Sequence, residues 1–193
     1  MSTQERKERE RADRHRLIVA TARELAEAQG WDAVTTRRLA ERIEYSQPVL
    51  YSHFRGKREI IGAVALEGAA ELAGALRAAV PAGSDGREAV AALARAYTDF
   101  AARNPAVYDA VFSLDNGLPY ADEATPAPLR AAFRALLDPL AAHVRPDEEP
   151  GLYVETFWAA LHGLVTLTRA GRLPGDRVAD RLTLLVDRFV PRR

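Results

Sequence analysis

Between Thr36 and Lys57 the chain carries side chains suited to reading and gripping nucleic acid: Arg37, Gln47, Tyr51, His53 and Lys57. An arginine fork matches guanine O6 and N7, and a glutamine amide matches adenine N6 and N7. Tyrosine, histidine and lysine donate to phosphate oxygens. Lys57 also stands where a helix is predicted to begin, so backbone N–H groups point outward beside it. Val49 cannot hydrogen-bond, but it can offer methyls to the thymine C5 methyl. Taken singly, these residues and Pro48 read as the solvated surface of an ordinary helical pair. Taken together at this spacing, they read as a DNA-contacting set. No catalytic constellation accompanies them. The chain has no cysteine, which removes disulfides, zinc fingers and thiol chemistry. Asp122-Glu123 and Glu148-Glu149 fall in predicted loops and read as solvation. No His/Asp/Glu group has metal-ligand spacing, and no nucleophile elbow, P-loop or GxGxxG occurs. No enzyme activity, metal or cofactor is therefore expected.

The elements that must position this set can be read from TTRRLAERIEYSQPVLYSHFRGK, Thr35 to Lys57. Thr35 is placed to cap a first short helix, since its hydroxyl can accept from an orphan backbone N–H. Leu39, Ala40 and Ile43 form that helix's apolar stripe. Glu44-Tyr45 breaks it. Ser46 is placed to cap a second helix, and Pro48 falls in its first turn, where a missing N–H costs nothing. Leu50 and Phe54, four apart, turn inward and leave Gln47, Pro48, Val49, Tyr51 and Ser52 outside. Two helices so spaced make a helix-turn-helix, whose second helix enters the major groove with its first residues at the base edges.

This stretch resembles the DNA-binding domain of the TetR/AcrR family of bacterial repressors. The likeness rests on SQPVLYSHFRGKREII and extends over Leu17 to Val64, about a quarter of the chain. It implies that Thr36 and Arg37 reach DNA from the first helix of the motif. It implies that Gln47, Pro48 and Val49 touch bases beside the Ser46 cap, and that Tyr51, His53 and Lys57 grip phosphates. One position departs from the family pattern. The family has glycine in the turn, where the backbone goes left-handed, and here Glu44 stands there. A non-glycine residue in that conformation costs roughly 1 kcal/mol, so a slightly altered turn and a re-aimed second helix are expected.

The chain has 193 residues and no net formal charge, with 48% hydrophobic residues, enough for a sizeable core. Zero charge at first argues against nucleic acid, but its distribution does not. Residues 1–60 hold 13 Lys and Arg against 10 Asp and Glu, and the remainder holds 14 against 17. A mildly basic first part on an acidic body suits one DNA-facing domain. No apolar run reaches membrane-spanning length, and the first residues lack the apolar core of a signal peptide. A cytoplasmic protein with no membrane partner is expected. No β-alternation occurs, so the expected fold is all-α with about nine helices. The expected division is a disordered charged arm over 1–12, a helix-turn-helix domain over 13–60, and a C-terminal dimerisation and effector-binding domain over 61–193. Helices are predicted at Asp13–Gln29, in the two motif segments, from near Lys57 to Val80, and at Arg87–Arg103. A short one then runs to Phe112, and others span Pro128–Val144, Leu152–Ala170 and Arg177–Phe189. A loop is predicted over 81–86.

The Leu152–Ala170 segment carries Glu155 as its only charge before Arg169, so apolar groups must be buried on both sides. One side can face its own domain, and the other calls for a partner. The last helix offers a complementary stripe. The resemblance implies that the last two long helices of each subunit form a four-helix dimer bundle, and Leu161, Leu164, Leu182, Leu185 and Phe189 are the expected interface. Trp158, His162 and Gly163 also match a Trp-His-Gly signature found in a subset of these C-terminal domains. Tyr97, Phe100, Tyr108, Phe112, Phe133, Phe157, Trp158 and His162 are the expected lining of an effector pocket, although each reads equally well as core. Together these features predict a homodimeric repressor released from palindromic double-stranded operator DNA by a small organic, largely apolar effector. The alternative is a helical protein that senses or sequesters a small molecule without gene control.

Overall fold

The computed structural model describes residues 2–81, 83–84 and 86–190. Among them are nine α-helices and no strand, as the periodicity predicts. The helices are α1 (Thr3–Gln29), α2 (Thr36–Arg42), α3 (Gln47–Tyr51), α4 (Lys57–Ala79), α5 (Gly86–Arg103), α6 (Pro105–Phe112), α7 (Ala127–Ala141), α8 (Pro150–Arg169) and α9 (Val178–Phe189). The loop expected over 81–86 includes Ala82 and Asp85, which lie outside the described residues.

The first helix corrects one expectation. It begins at Thr3, so the arm expected to be disordered over 1–12 is helical from Thr3 onward. Ser2 and Glu5 form a reciprocal capping box that satisfies two orphan N–H groups. Along the exposed run Gln4 bonds Glu8 at 2.8 Å, Glu10 pairs with both Arg6 and Arg14, and Arg16 pairs with Asp13. Each such pair adds only a few tenths of a kcal/mol, about 0.2–0.5. They act on a helix already nucleated by burial of Ile18, Val19, Ala22, Leu25 and Ala26. Gly30 ends the helix at φ +79°, a conformation that glycine adopts without steric cost.

The chain divides into two compact units, and the division differs from the expected one at residue 60. The first unit takes in Met1–Gly68 with Asn104–Pro126, and the second Ala69–Arg103 with Ala127–Arg193. The boundary therefore falls inside α4, and α6 returns to the unit that carries the helix-turn-helix. Polar contacts explain that return. The Glu27 carboxylate accepts the N–H groups of Ala106 and Val107, each at 3.1 Å, and so caps α6 from outside its own segment. The Trp31 indole donates to the Ala106 carbonyl at 2.8 Å, and Arg23 donates to Asn104. Trp31 is thus a core residue with its one polar atom satisfied.

The second unit is built from α5, α7, α8 and α9 with the end of α4. Val90, Leu93, Tyr97 and Phe100 of α5 are buried, as are Leu136 and Leu140 of α7. Val154, Phe157 and Leu161 of α8 and Leu182 and Val186 of α9 complete the core. Each fully buried large side chain contributes about 1.5–3 kcal/mol. Arg87 pairs with Asp187 and ties α5 to α9.

In the first unit α4 carries Gly62 hard against the loop after α6. A Cβ added there would lie 2.6 Å from the Asn116 carbonyl oxygen, and backbone cannot swing aside as a side chain can. Asn116 is itself buried, with its amide donating to the Ala110 carbonyl and to the Tyr120 hydroxyl. Gly62→Ala is expected to destabilise the protein by about 1–3 kcal/mol through overpacking. Urea unfolding measures it, and a midpoint equal to wild type would show that the loop is free to give way.

Candidate nucleic-acid interface

The helix-turn-helix forms because two helices too short to stand alone share a buried seam. α2 spans seven residues and α3 five, below the length at which an isolated helix holds in water. Val34, Leu39, Leu50 and Phe54 are buried almost completely and supply what the short backbones lack. Ile43 is only half-buried. Thr35 caps α2 as expected, its hydroxyl accepting the Arg38 N–H at 3.2 Å. Ser46 is the residue at the α3 N-cap, but its side chain makes no capping bond, which corrects the expectation for its hydroxyl. The Ser46 carbonyl instead accepts the Val49 N–H at 3.0 Å, and the exposed hydroxyl stands at the start of α3.

The turn keeps its left-handed residue despite the absence of glycine. Glu44 sits at φ +58°, and the Tyr45 N–H reaches back to the Ala40 carbonyl at 3.0 Å. That bond is the one that closes a Schellman C-cap. The turn geometry survives, and the strain is local to Glu44.

The predicted contact residues fall into two states. Gln47, Pro48 and Tyr51 project from α3 into solvent, Val49 is half-buried, and Tyr51 is 53% exposed. Thr36 Oγ1 lies 3.5 Å from the Tyr51 hydroxyl, so the two hydroxyls stand together on one edge of the motif. Arg37 and Lys57 are already engaged. The Arg37 guanidinium donates to Glu41 at 2.9 Å on an exposed face, a solvent-screened pair that is easily exchanged. The Lys57 ammonium donates to the Trp31 carbonyl, which anchors the start of α4 to the turn after α1. Lys57 is itself half-buried. His53 is half-buried, and its pKa is lowered, first by burial and then by the charges of Arg11, His15 and Arg14.

Two residues that position the motif were missed by the sequence reading. Arg38 donates to the Gln29 side chain at 2.7 Å and to the Ala33 carbonyl, fixing α2 against the end of α1. His15 stacks on Phe54, with ring centroids 4.6 Å apart. The signal for His15 was present, because it lies three residues before Ile18 on the stripe that Ala22 and Leu25 continue. Among the described residues no three His, Asp or Glu converge to hold a metal ion, and no helix is long and apolar enough to cross a membrane.

The eight residues expected to line an effector pocket fall in both units. Tyr108 and Phe112 belong to the first unit, where their rings pack 4.9 Å apart. Tyr97, Phe100, Phe133, Phe157, Trp158 and His162 belong to the second. There Tyr97 and Phe157 are sealed, and the Trp158 indole donates to the Tyr97 hydroxyl at 3.0 Å. Burial lowers the His162 pKa. Two clefts open in the same unit, and none of the eight lines either. One of about 430 Å³ runs between α5 and α9 beside Arg95, Thr98, Asp99 and Val186, and one of about 170 Å³ lies beside Ala102, Leu164, Thr168 and Arg181.

The expected dimer contacts also divide. Leu161 is fully buried and Leu182 nearly so within one chain, so neither has surface to give a partner. Leu164, Leu185 and Phe189 keep partial exposure. The large apolar residues exposed on α8 and α9 are Leu152, Leu167 and Leu184.

Residues 18–64 match the family model for bacterial regulatory proteins of the tetR family, and residues 90–189 match that of the tetracyclin repressor-like C-terminal domain. The second match alone covers more than half of the chain. The chain belongs to the TetR family. Among its relatives is the class C tetracycline repressor of Escherichia coli, 48% identical over 48 residues, which are 25% of this chain and 22% of that one. An uncharacterized HTH-type transcriptional regulator of Mycobacterium tuberculosis is 29% identical over 154 residues, covering 80% of this chain and 69% of that protein. The chain spans 22% to 49% of the length of the first curated relatives it matches. Among solved structures it resembles BioQ in complex with its double-stranded DNA operator, with a TM-score of 0.68, 21% identity, and coverage of 92% and 98%. The likeness to tetracycline repressors is thus concentrated in the helix-turn-helix, and the fold likeness extends over nearly all of the chain.

The strain at Glu44 makes a checkable claim about this TetR-family turn. Glu44→Gly relieves the left-handed cost and gives back part of it as chain entropy. A net gain of about 0.5–1 kcal/mol is expected, read as a higher urea midpoint with unchanged slope. A loss of stability would mean that Glu44 makes an interaction outweighing its backbone strain.

Proposed function

We propose that this protein is a homodimeric, cytoplasmic transcriptional repressor that binds a palindromic operator through α3 and is released from it by a small organic effector. The observation that carries the reading is the exposed edge of Gln47, Pro48 and Tyr51 on a helix-turn-helix whose turn retains its left-handed residue. The operator complex of the structurally similar BioQ supports duplex DNA as the partner. Gln47 then reads one base pair, with Pro48 and Val49 beside it. Tyr51, His53 and Lys57 hold phosphates, and Arg37 leaves Glu41 for the DNA. Half-sites lie about one turn apart, roughly 34–36 Å, so a small change in the spacing of two recognition helices weakens binding.

Exposed Leu152, Leu167 and Leu184 favour α8 and α9 as the dimer surface. The cleft of about 430 Å³ between α5 and α9 is within the range for a small-molecule site. Val178, Leu182 and Val186 give it apolar wall, and Arg95, Asp99 and Asp176 give it polar edges. It is a better supported effector site than the aromatic core. The effector must bind the DNA-incompetent state more tightly, because equal affinity shifts nothing.

Two experiments test the reading. Gel-shift and anisotropy assays use the DNA flanking the protein's own gene. Gln47→Ala is expected to cost about 1–3 kcal/mol at one base-pair position, whereas Tyr51→Phe weakens all duplexes alike. Unchanged base preference in Gln47→Ala would remove α3 from base readout, and no binding by wild type would favour the sequestering protein without gene control. Sedimentation tests the dimer. Leu184→Glu is expected to give a folded monomer, and Leu182→Glu an unfolded chain, since it buries an unpaired charge. A Leu184→Glu dimer at wild-type strength would place the interface elsewhere.

A further inference from the structure

We infer that the first helix extends the DNA interface, Arg11 joining His53 around one backbone phosphate; the inference rests on the DNA-binding reading above. Glu8, Arg11, Ala12, His15 and Arg16 of α1 and His53 at the end of α3 line one open cleft of about 410 Å³. The His15 and His53 rings stand 6.4 Å apart across it, and His15 is held in place by stacking on buried Phe54. The cleft therefore adjoins the motif through its own core.

Charge accounting gives the cleft its chemistry. Arg6 and Arg14 are paired with Glu10, and Arg16 with Asp13. Arg11 has no carboxylate partner among the described residues, although acids are plentiful along this helix. Unpaired Arg11, the Asp13-paired Arg16 and two histidines thus face one space with Glu8, whose carboxylate already accepts from Gln4. Like charges brought together are unfavourable unless an anion enters between them. The lowered pKa of His53 reflects the same crowding after its burial, with Arg11, His15 and Arg14 contributing and Glu8 and Arg16 also facing the cleft. An anion there relieves both. His53 lies two residues past the end of α3, the helix proposed to meet DNA, so the anion nearest to hand is a phosphodiester of the duplex. Position adds to the argument, because Arg11 and His15 lie seven and three residues before Ile18, on the face that α1 turns toward the motif.

The test is the salt dependence of binding to the duplex flanking the protein's own gene, over about 50–200 mM salt. Each neutralised phosphate contributes about 0.9 to the slope of log affinity against log salt. Arg11→Gln is expected to lower the slope by about 0.9 per subunit and to leave base preference unchanged. Arg11→Lys, which keeps the charge, is expected to restore most of the slope. Arg77→Gln, a matched charge loss at the exposed end of α4, is expected to change nothing. Arg11 lies on an exposed helix face, so its variants are expected to melt like wild type. A wild-type slope in Arg11→Gln, with wild type still binding the duplex, would overturn this inference alone. Failure of wild type to bind any duplex would overturn the DNA reading and this one with it. Saturable shifts of the His15 and His53 resonances by inorganic phosphate, with the Arg11→Gln slope unchanged, would assign the cleft to a free anion and also overturn it.

Discussion

The carboxylate of Glu27 sets the organisation of the first unit. It accepts two N–H groups at the start of α6, where Asn104 makes no side-chain capping bond. Those N–H groups would otherwise be orphaned, at a cost of about 1–3 kcal/mol each if buried. Glu27 stands near the end of α1, one turn before Trp31, whose indole fixes the Ala106 carbonyl on the same α6 turn. Acceptor and donor from one segment thus clasp both polar groups of a helix start some 80 residues later. A segment so clasped moves with α1, and α1 is the helix on which the DNA-binding motif is packed. The compact unit around the motif therefore runs past position 60 and takes in residues 104–126.

The motif itself was legible because its local signals agree. Thr35 caps, Pro48 sits in a first turn, Leu50 and Phe54 turn inward, and the break falls where the backbone goes left-handed. Such agreement between capping, periodicity and turn chemistry is what makes a short segment adopt one structure. The hydroxyl of Ser46 was misread because a residue type favoured at an N-cap does not fix its rotamer. The first helix was misread for a different reason. Its run of Glu and Arg has the composition of a disordered segment, yet the signs alternate at i, i+3 and i+4 and a capping box stands at the start. Composition is blind to that spacing.

The C-terminal half resisted reading because an all-round apolar helix hides its orientation. α8 is rich enough in apolar residues that periodicity does not say which ones face the core. The structure buries Leu161 and leaves Leu152 and Leu167 out, and α9 buries Leu182 while exposing Leu184. Aromatic residues read both ways for the same reason. Tyr97 and Phe157 are buried, and the half-buried Trp158 donates its indole N–H to the Tyr97 hydroxyl. Cleft formation follows instead from smaller side chains between α5 and α9, such as Ala91 and Ala179.

The surface that faces DNA is held ready by weak, exchangeable bonds. Arg37 rests on Glu41, an exposed pair that costs little to open, and Tyr51 stands beside the Thr36 hydroxyl. Lys57 differs, because its bond to the Trp31 carbonyl is partly buried and joins α4 to the turn after α1. An ammonium has three donors, so Lys57 can keep this bond while another proton reaches outward. On the proposed reading the same residue holds the fold and meets a phosphate, and the two roles do not compete. Arg37 gives its Nε–H to Glu41, and its remaining N–H donors leave it able to take a second partner. On that reading Lys57 grips phosphate from a position fixed by the fold, and the solvent-exposed Gln47 reads the base. Rigid anchors set the register of the recognition helix on the duplex, and only then can a free amide test the base before it.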